Sequence, residues 1–169
     1  MLHLVLYEPE IPQNTGNIMR TCMATKTKLH LIEPLGFSLD EHHVKRAGMD
    51  YIKDVNYEIH ESWDAFKQKN PSKNFFFMTR YGKKPPSAFS FTAYEGDIYI
   101  VLGKESTGIP KSILADDLHQ CMRLPMVEDA RSLNLSNCAA IILYEVLRQL
   151  DYPGLSCVET IKGEDWLVK

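Results

Sequence analysis

The chain has 169 residues, 44% of them apolar, 24% charged and 10% aromatic, which is the makeup of one compact folded domain with little room for a second. Nineteen Lys and Arg against twenty-two Asp and Glu leave a net charge of −3, so histone-like binding is excluded and a nucleic-acid partner has to be met by a local basic patch. No apolar run approaches the roughly 20 residues that cross a bilayer, MLHLVLYEPE lacks a signal peptide's basic flank, and Cys22, Cys121, Cys138 and Cys157 form no C-x-x-C, so a cytoplasmic protein with reduced thiols and no membrane contact is expected.

Short β-rich runs alternate with helical patterns, the signature of an α/β domain with a parallel sheet covered on both faces. Leu2 to Tyr7 reads as a buried strand, stopped by Pro9 and Pro12. Asn14 or Thr15 is positioned to cap a helix carrying Ile18, Cys22 and Met23, and Lys28 to Glu33 reads as the second strand. A short polar helix is expected over Asp40 to Ala47, ended by Gly48. Val55 to His60 alternates like an edge strand, Ser62 caps a helix through Lys69, and Asn74 to Thr79, with three successive Phe, reads as a central strand. Tyr81 to Phe91 is loop. Asp97 to Leu102 is the most apolar strand and runs directly into Gly103 to Gly108.

The last long helix is expected from Asn134 to Leu150, with Leu135, Cys138, Ala139, Ile142, Leu143, Val146, Leu147 and Leu150 forming its core stripe. Ala140, Ile141 and Tyr144 add apolar surface on other faces, which points to a homodimer through this helix. After Pro153-Gly154 the tail is short and acidic, with Trp166 expected to anchor it.

Three loops combine Gly, Asn, Ser, Arg and Glu at strand exits, where α/β sheets bind ligands. The first is Asn14-Thr15-Gly16-Asn17 with Arg20 one helical turn on, equally an ordinary helix start with a solvated arginine. The second is Gly103-Lys104-Glu105-Ser106-Thr107-Gly108. Ile109-Pro110 follows it instead of Lys-Ser/Thr, and it lacks G-x-G-x-x-G, so neither a triphosphate loop nor a Rossmann fingerprint is present. The third runs from Leu124-Pro125-Met126 to Ser132-Leu133-Asn134-Leu135-Ser136-Asn137. Ser132 lacks a G-x-S-x-G elbow and an evident His partner, which argues against a nucleophilic serine. Adjacent His42 and His43 point apart on a helix, His3, His30, His60 and His119 have no neighbour in sequence, and no metal is expected.

Taken together, N-T-G-N-x-x-R, G-x-E-x-x-G-I-P and R-L-P-M…R-S-L-N-L-S-N resemble the three motifs of the SPOUT RNA methyltransferases. YEPEIPQNTGNIMR with LYEVLRQLDYPG is similar to the TrmL-type subgroup, which 2'-O-methylates the wobble nucleotide of leucine tRNAs. The resemblance implies a three-layer α/β-knot domain over residues 1–154, with a C-terminal trefoil knot that general topology rules disfavour, and a tail over 155–169. It implies S-adenosylmethionine as cofactor, held at Met78, Thr79, Gly103, Glu105, Gly108, Leu124, Met126, Ser132 and Leu133. The catalytic group would be Arg20, Asn14, Glu105 and Asn134. An arginine whose pKa exceeds about 12 is a poor base, so Arg20 is expected to hold phosphate and ribose, the others to orient it or the hydroxyl. Lys104 stands where the family more often has proline, implying a less rigid loop.

The expected substrate is cytidine or modified uridine at position 34, presented on the tRNA anticodon stem-loop. Residues 65–94 hold Lys67, Lys69, Lys73, Arg80, Lys83 and Lys84 with no acid, equally a solvated face. Arg20, Arg46, Arg80, Lys83 and Lys84 are the expected RNA contacts. Another tRNA or rRNA target, or a non-catalytic RNA-binding module of the same fold, are the alternatives.

Overall fold

A computed structural model describes residues 1–39, 54–163 and 165–166. The expected helix at 40–47, with His42, His43, Lys45 and Arg46, lies outside the described residues. Six parallel strands form one sheet in the order β3-β2-β1-β5-β4-β6, from β1 (Leu2–Tyr7), β2 (Lys28–Ile32), β3 (Tyr57–His60), β4 (Phe75–Met78), β5 (Ile98–Leu102) and β6 (Cys121–Met122). The order reverses between β1 and β5, and the chain leaves both strands at the same end of the sheet. That reversal is where open α/β sheets present a ligand crevice.

Helices α1 (Pro12–Thr25) and α4 (Leu135–Gln149) cover one face of the sheet. There Ile18, Met19 and Cys22 of α1 and Ile142, Leu143 and Val146 of α4 pack against Leu4, Leu6, Leu29, Phe76 and Ile100. The other face is covered by α2 (Trp63–Lys69) and the single turn α3 (Lys111–Leu114), through Phe66 and Leu114 against Val5, Phe75, Phe77, Tyr99 and Val101. The alternation of β1, with Leu4 and Leu6 toward one layer and Val5 toward the other, is the sandwich written in period two. No described helix is long and apolar enough to cross a membrane.

Helix α1 starts earlier than its sequence suggests. Pro12 occupies its first turn, where a missing N–H costs nothing, and the capping position is Ile11, without a side-chain cap. Asn14 and Thr15 are therefore buried within the helix. Ser62 does cap α2, accepting from the Ala65 N–H at 3.1 Å. Trp166 does not anchor the tail: it is 60% exposed, with the Lys162 ammonium over its ring. The two-residue strand β6 has no sequence signal. It exists because β4 pairs with it, Phe77 opposite Cys121 and Met78 opposite Met122.

Residues 121–123 are gripped on two flanks. Besides β4, the segment after it holds them: Thr79 N–H donates to Met122 O at 2.9 Å, Arg123 N–H to Lys84 O at 3.0 Å, and Arg123 Nη1 to Arg80 O at 3.3 Å. Gly82 makes this passage possible, since a Cβ there would lie 2.4 Å from the Met122 carbonyl carbon.

Candidate active site

Three segments distant in the chain meet beyond the carboxyl ends of β1 and β5. The joint is the Glu105 carboxylate, which accepts from Glu10 N–H at 2.8 Å, from Ile11 N–H at 3.2 Å and from Asn14 Nδ2 at 3.0 Å. Glu105 thus supplies from another loop the negative charge that the start of α1 lacks, since the first turn of α1 has no acid of its own. Asn14 in turn accepts from Asn134 Nδ2 at 2.9 Å through its side-chain oxygen. Asn134 caps α4, its Oδ1 accepting from Ser136 N–H at 2.9 Å, Asn137 N–H at 3.3 Å and Ser136 Oγ at 2.6 Å. A continuous hydrogen-bonded line, Glu105 to Asn14 to Asn134, therefore ties all three motif loops.

A reciprocal set of contacts tightens the first two loops. Glu10 accepts from both the backbone N–H and the hydroxyl of Ser106, each at 2.8 Å, which holds its carboxyl below the usual range. Lys104 Nζ lies 2.6 Å from Glu8 Oε2. Partial burial pushes Glu8 up, and the Lys104 ammonium together with the Tyr7 hydroxyl more than offsets it, leaving the carboxyl lowered and the lysine raised by its bond to Glu8. The looser loop implied by a lysine in place of proline is thus countered: Lys104 holds to the end of β1 by charge. Glu8 itself sits at φ +46°. None of Glu8, Glu10 or Ser106 stood out in sequence, because their pairing needs β1 and β5 side by side.

The loop from Gly103 to Gly108 closes on itself, Gly108 N–H donating to Lys104 O at 2.9 Å. A Cβ on Gly103 would stand 2.2 Å from the Gly108 carbonyl carbon, so only glycine fits. At Gly108 the situation is opposite: φ is +74° and nothing lies within 4 Å of where a Cβ would project. Bare backbone there faces open space, the lining that a flat, uncharged heterocycle and ribose can approach. Half-buried Met78 and Thr79 end β4, and half-buried Leu124 and Met126 follow β6. Ser132 and Leu133 precede the α4 cap and are exposed.

Arg20 is exposed on α1, on the face it shares by helical spacing with Gln13, Gly16 and Asn17. The basic run of residues 65–94 divides. Exposed Arg80, Lys83 and Lys84 follow β4 at the loop-bearing end. Lys67 and Lys69 end α2 and Lys73 precedes β4, at the opposite end. There Lys67 lies over the Phe75 ring and Lys69 pairs with Glu58. The six charges do not make one patch.

The isolated histidines of the sequence also converge, on the face away from α1 and α4. His3 Nδ1 lies 2.9 Å from His30 Nε2, and His30 Nδ1 lies 2.9 Å from His60 Nε2, a row across β1, β2 and β3. All three are at least 95% buried, beneath Phe66 and beside Tyr99. Burial lowers His3 to about 4 and His30 to about 3, and lowers His60 as well.

Residues 1–144 match the SpoU rRNA methylase family. The chain is 50% identical over 155 residues to a Geobacillus stearothermophilus protein described as a candidate tRNA (cytidine(34)-2'-O)-methyltransferase, covering 92% of this chain and 99% of the relative. It is 46% identical over 155 residues to the Escherichia coli K12 tRNA (cytidine(34)-2'-O)-methyltransferase, covering 91% and 97%. A solved structure, described as giving insight into 2'-OH methylation of C/U34 on tRNA, superposes with a TM-score of 0.79 at 39% identity, covering 89% of this chain and 97% of the other. With its α/β fold, its three joined motif loops and a match that spans most of its length, the chain belongs to the SpoU rRNA methylase family.

Proposed function

We propose that this chain transfers a methyl group from S-adenosylmethionine to the ribose 2'-hydroxyl of nucleotide 34, cytidine or modified uridine, in a leucine tRNA. The observation that carries this reading is the Glu105–Asn14–Asn134 line, which gathers three motif loops at the reversal point of the sheet. The names of its relatives supply the tRNA position. The domain is residues 1–154, with 155–169 as a tail, and a C-terminal trefoil knot is supported by the close contact of residues 121–123 with the segment that follows β4.

The residues present fit the cofactor, through open backbone at Gly108, the Gly103 turn, and apolar flanks from Met78, Leu124, Met126 and Leu133, with Thr79, Glu105 and Ser132 alongside. When bound it supplies a carbon already activated by a positively charged sulfur, so no nucleophilic side chain is needed. The protein has to place a ribose oxygen in line and let its proton leave. Arg20 holds the phosphate and ribose. A guanidinium is a poor base, so Arg20 serves by position and hydrogen bonding and is not the proton acceptor. Asn14, Glu105 and Asn134 are positioning residues that fix where α1, and with it Arg20, stands relative to the Gly103 loop.

Arg80, Lys83 and Lys84, at the loop-bearing end, contact the anticodon stem-loop. Ile141 and Tyr144, 47% and 49% exposed on α4, form the center of a homodimer interface. The test is incubation with methyl-labelled cofactor and unmodified leucine tRNA, followed by mapping of the methyl group. Label at the 2'-oxygen of nucleotide 34 is the expected result. Label elsewhere moves the target to another site, and cofactor binding without incorporation into any RNA overturns the enzymatic reading.

A further inference from the structure

The row of histidines takes no part in the methyl-transfer site, yet it ends in a set of ligand atoms. Among the described residues, His30, Glu58 and His60 are grouped so that one donor atom from each lies within 4.8 Å of the others. His30 Nδ1 and His60 Nε2 are 2.9 Å apart, and His60 Nε2 is 4.0 Å from Glu58 Oε1. A tetrahedral ion with bonds of about 2.0–2.1 Å sets its ligand atoms roughly 3.3 Å apart, between those two values. We propose that His30 Nδ1, His60 Nε2 and the Glu58 carboxylate form a site for one divalent transition-metal ion of the zinc class, with water as the fourth ligand.

The proton arrangement favours this. His3 Nε2 lies 3.5 Å from Asp97 Oδ2 without a formed hydrogen bond, and the tautomer with its proton on that nitrogen is the one the nearby carboxylate favours. His3 Nδ1 is then an acceptor, so His30 carries its proton on Nε2 and donates to His3 at 2.9 Å. This leaves a lone pair on His30 Nδ1, facing His60. A ligating imidazole whose other N–H is held by a neighbour is the usual outer arrangement at zinc sites, and here the neighbour is built in. Loading requires one change: His60 moves its proton from Nε2 to Nδ1.

The Glu58 carboxylate is flanked by the ammonium groups of Lys69 and Lys28. The two ammonium groups occupy different oxygens. Lys69 bonds Oε1, the oxygen nearer His60, while Lys28 lies 3.1 Å from Oε2. The Lys69 side chain is 65% exposed and free to swing into water, so an incoming cation displaces it from Oε1 and leaves Lys28 as the outer partner. The ion would join the edge strand β3 to β2. It would sit on the sheet face opposite α1 and α4, apart from the methyl-transfer chemistry.

The test is titration of the full chain with Co2+, read from the visible absorption of four-coordinate cobalt, and with Zn2+ by calorimetry. Saturable one-to-one binding is expected. His60→Gln should weaken it more than about tenfold, and Lys69→Ala, at an exposed position that does not endanger folding, should tighten it by roughly tenfold, the equivalent of about 1.4 kcal/mol. Replacing His42 and His43 by Ala should leave the affinity unchanged. Absence of saturable binding, or binding that follows His42 and His43 and ignores His60 and Lys69, overturns the assignment.

Discussion

Asn14 in the first turn of α1 and Asn134 at the cap of α4 share a 2.9 Å hydrogen bond across 120 residues of sequence. Asn134 spends its oxygen on the free N–H groups of α4 and its nitrogen on Asn14, so one side chain both starts a helix and docks it. Asn134→Ala removes the cap and leaves the buried Asn14 Oδ1 without its donor. A loss of about 1–2 kcal/mol is expected in urea unfolding, together with weaker cofactor binding by calorimetry. A variant as stable as the parent would show that the docking bond carries no weight.

Glu105→Gln tests the joint between the loops. A carboxylate accepts at both oxygens, whereas glutamine must turn an NH2 toward either Glu10 N–H or the Ile11 and Asn14 donors. Donor then faces donor. kcat/KM should fall at least about tenfold, equivalent to roughly 1.4 kcal/mol of transition-state stabilisation, while far-UV circular dichroism stays native. Unchanged kinetics would remove Glu105 from any positioning role.

Arg20→Ala separates binding from turnover. The variant should keep its affinity for S-adenosylmethionine in calorimetry and lose most methyl transfer to tRNA, as the proposed role of exposed Arg20 in holding phosphate and ribose requires. Equal loss of cofactor affinity and turnover would reassign Arg20 to the cofactor or to the fold.

The three buried histidines predict the acid side of the stability profile. His3 is lowered from 6.5 to about 4, so the unfolded chain binds a proton that the folded chain refuses between those values. Stability is therefore unaffected by this group above its unfolded pKa and falls as pH drops from 6.5 toward 4. His3 held neutral costs about 1.4 kcal/mol per pH unit in that window, and His30 and His60, lowered in the same direction, act with the same sign. Glu58, lowered from 4.5 to about 2, adds its own loss only below 4.5, so the two effects separate. Urea titrations at pH 7.5, 6 and 5 should show falling stability at unchanged m-value, and a flat profile would mean that the imidazoles are charged in the fold.

Local patterns carried much of the architecture. The apolar run of β5, the i, i+3, i+4 stripe of α4 and the Ser62 cap are short-range signals, and each stands where its residues place it. What failed was whatever depends on a partner far along the chain. Asn14 reads as a cap, but Glu105 and Asn134 claim its side chain and Pro12 starts the helix. Glu105 reads as an acid near its own turn, yet it serves the helix that follows β1. Strand β6 has two residues and owes its existence to β4. His3, His30 and His60 are 27 and 30 residues apart, and only the order of β1, β2 and β3 makes them neighbours. The C-terminal knot was implied by family resemblance alone, since periodicity records faces and not passage, and the close approach of Gly82 to Met122 has no local signal.

The histidine row also bears on how the open margin of the sheet avoids misalignment. Strand β3 has four residues and, among the described residues, only β2 beside it, a situation in which strands readily slide or recruit foreign chains. His30 stands opposite Glu58 and Ile32 opposite His60, and a two-residue shift would move His60 off His30 Nδ1 while pulling Glu58 from Lys28. Imidazole pairing thus works as a key that accepts a single alignment, and the charged Glu58–Lys69 rim discourages an added strand from docking outside it.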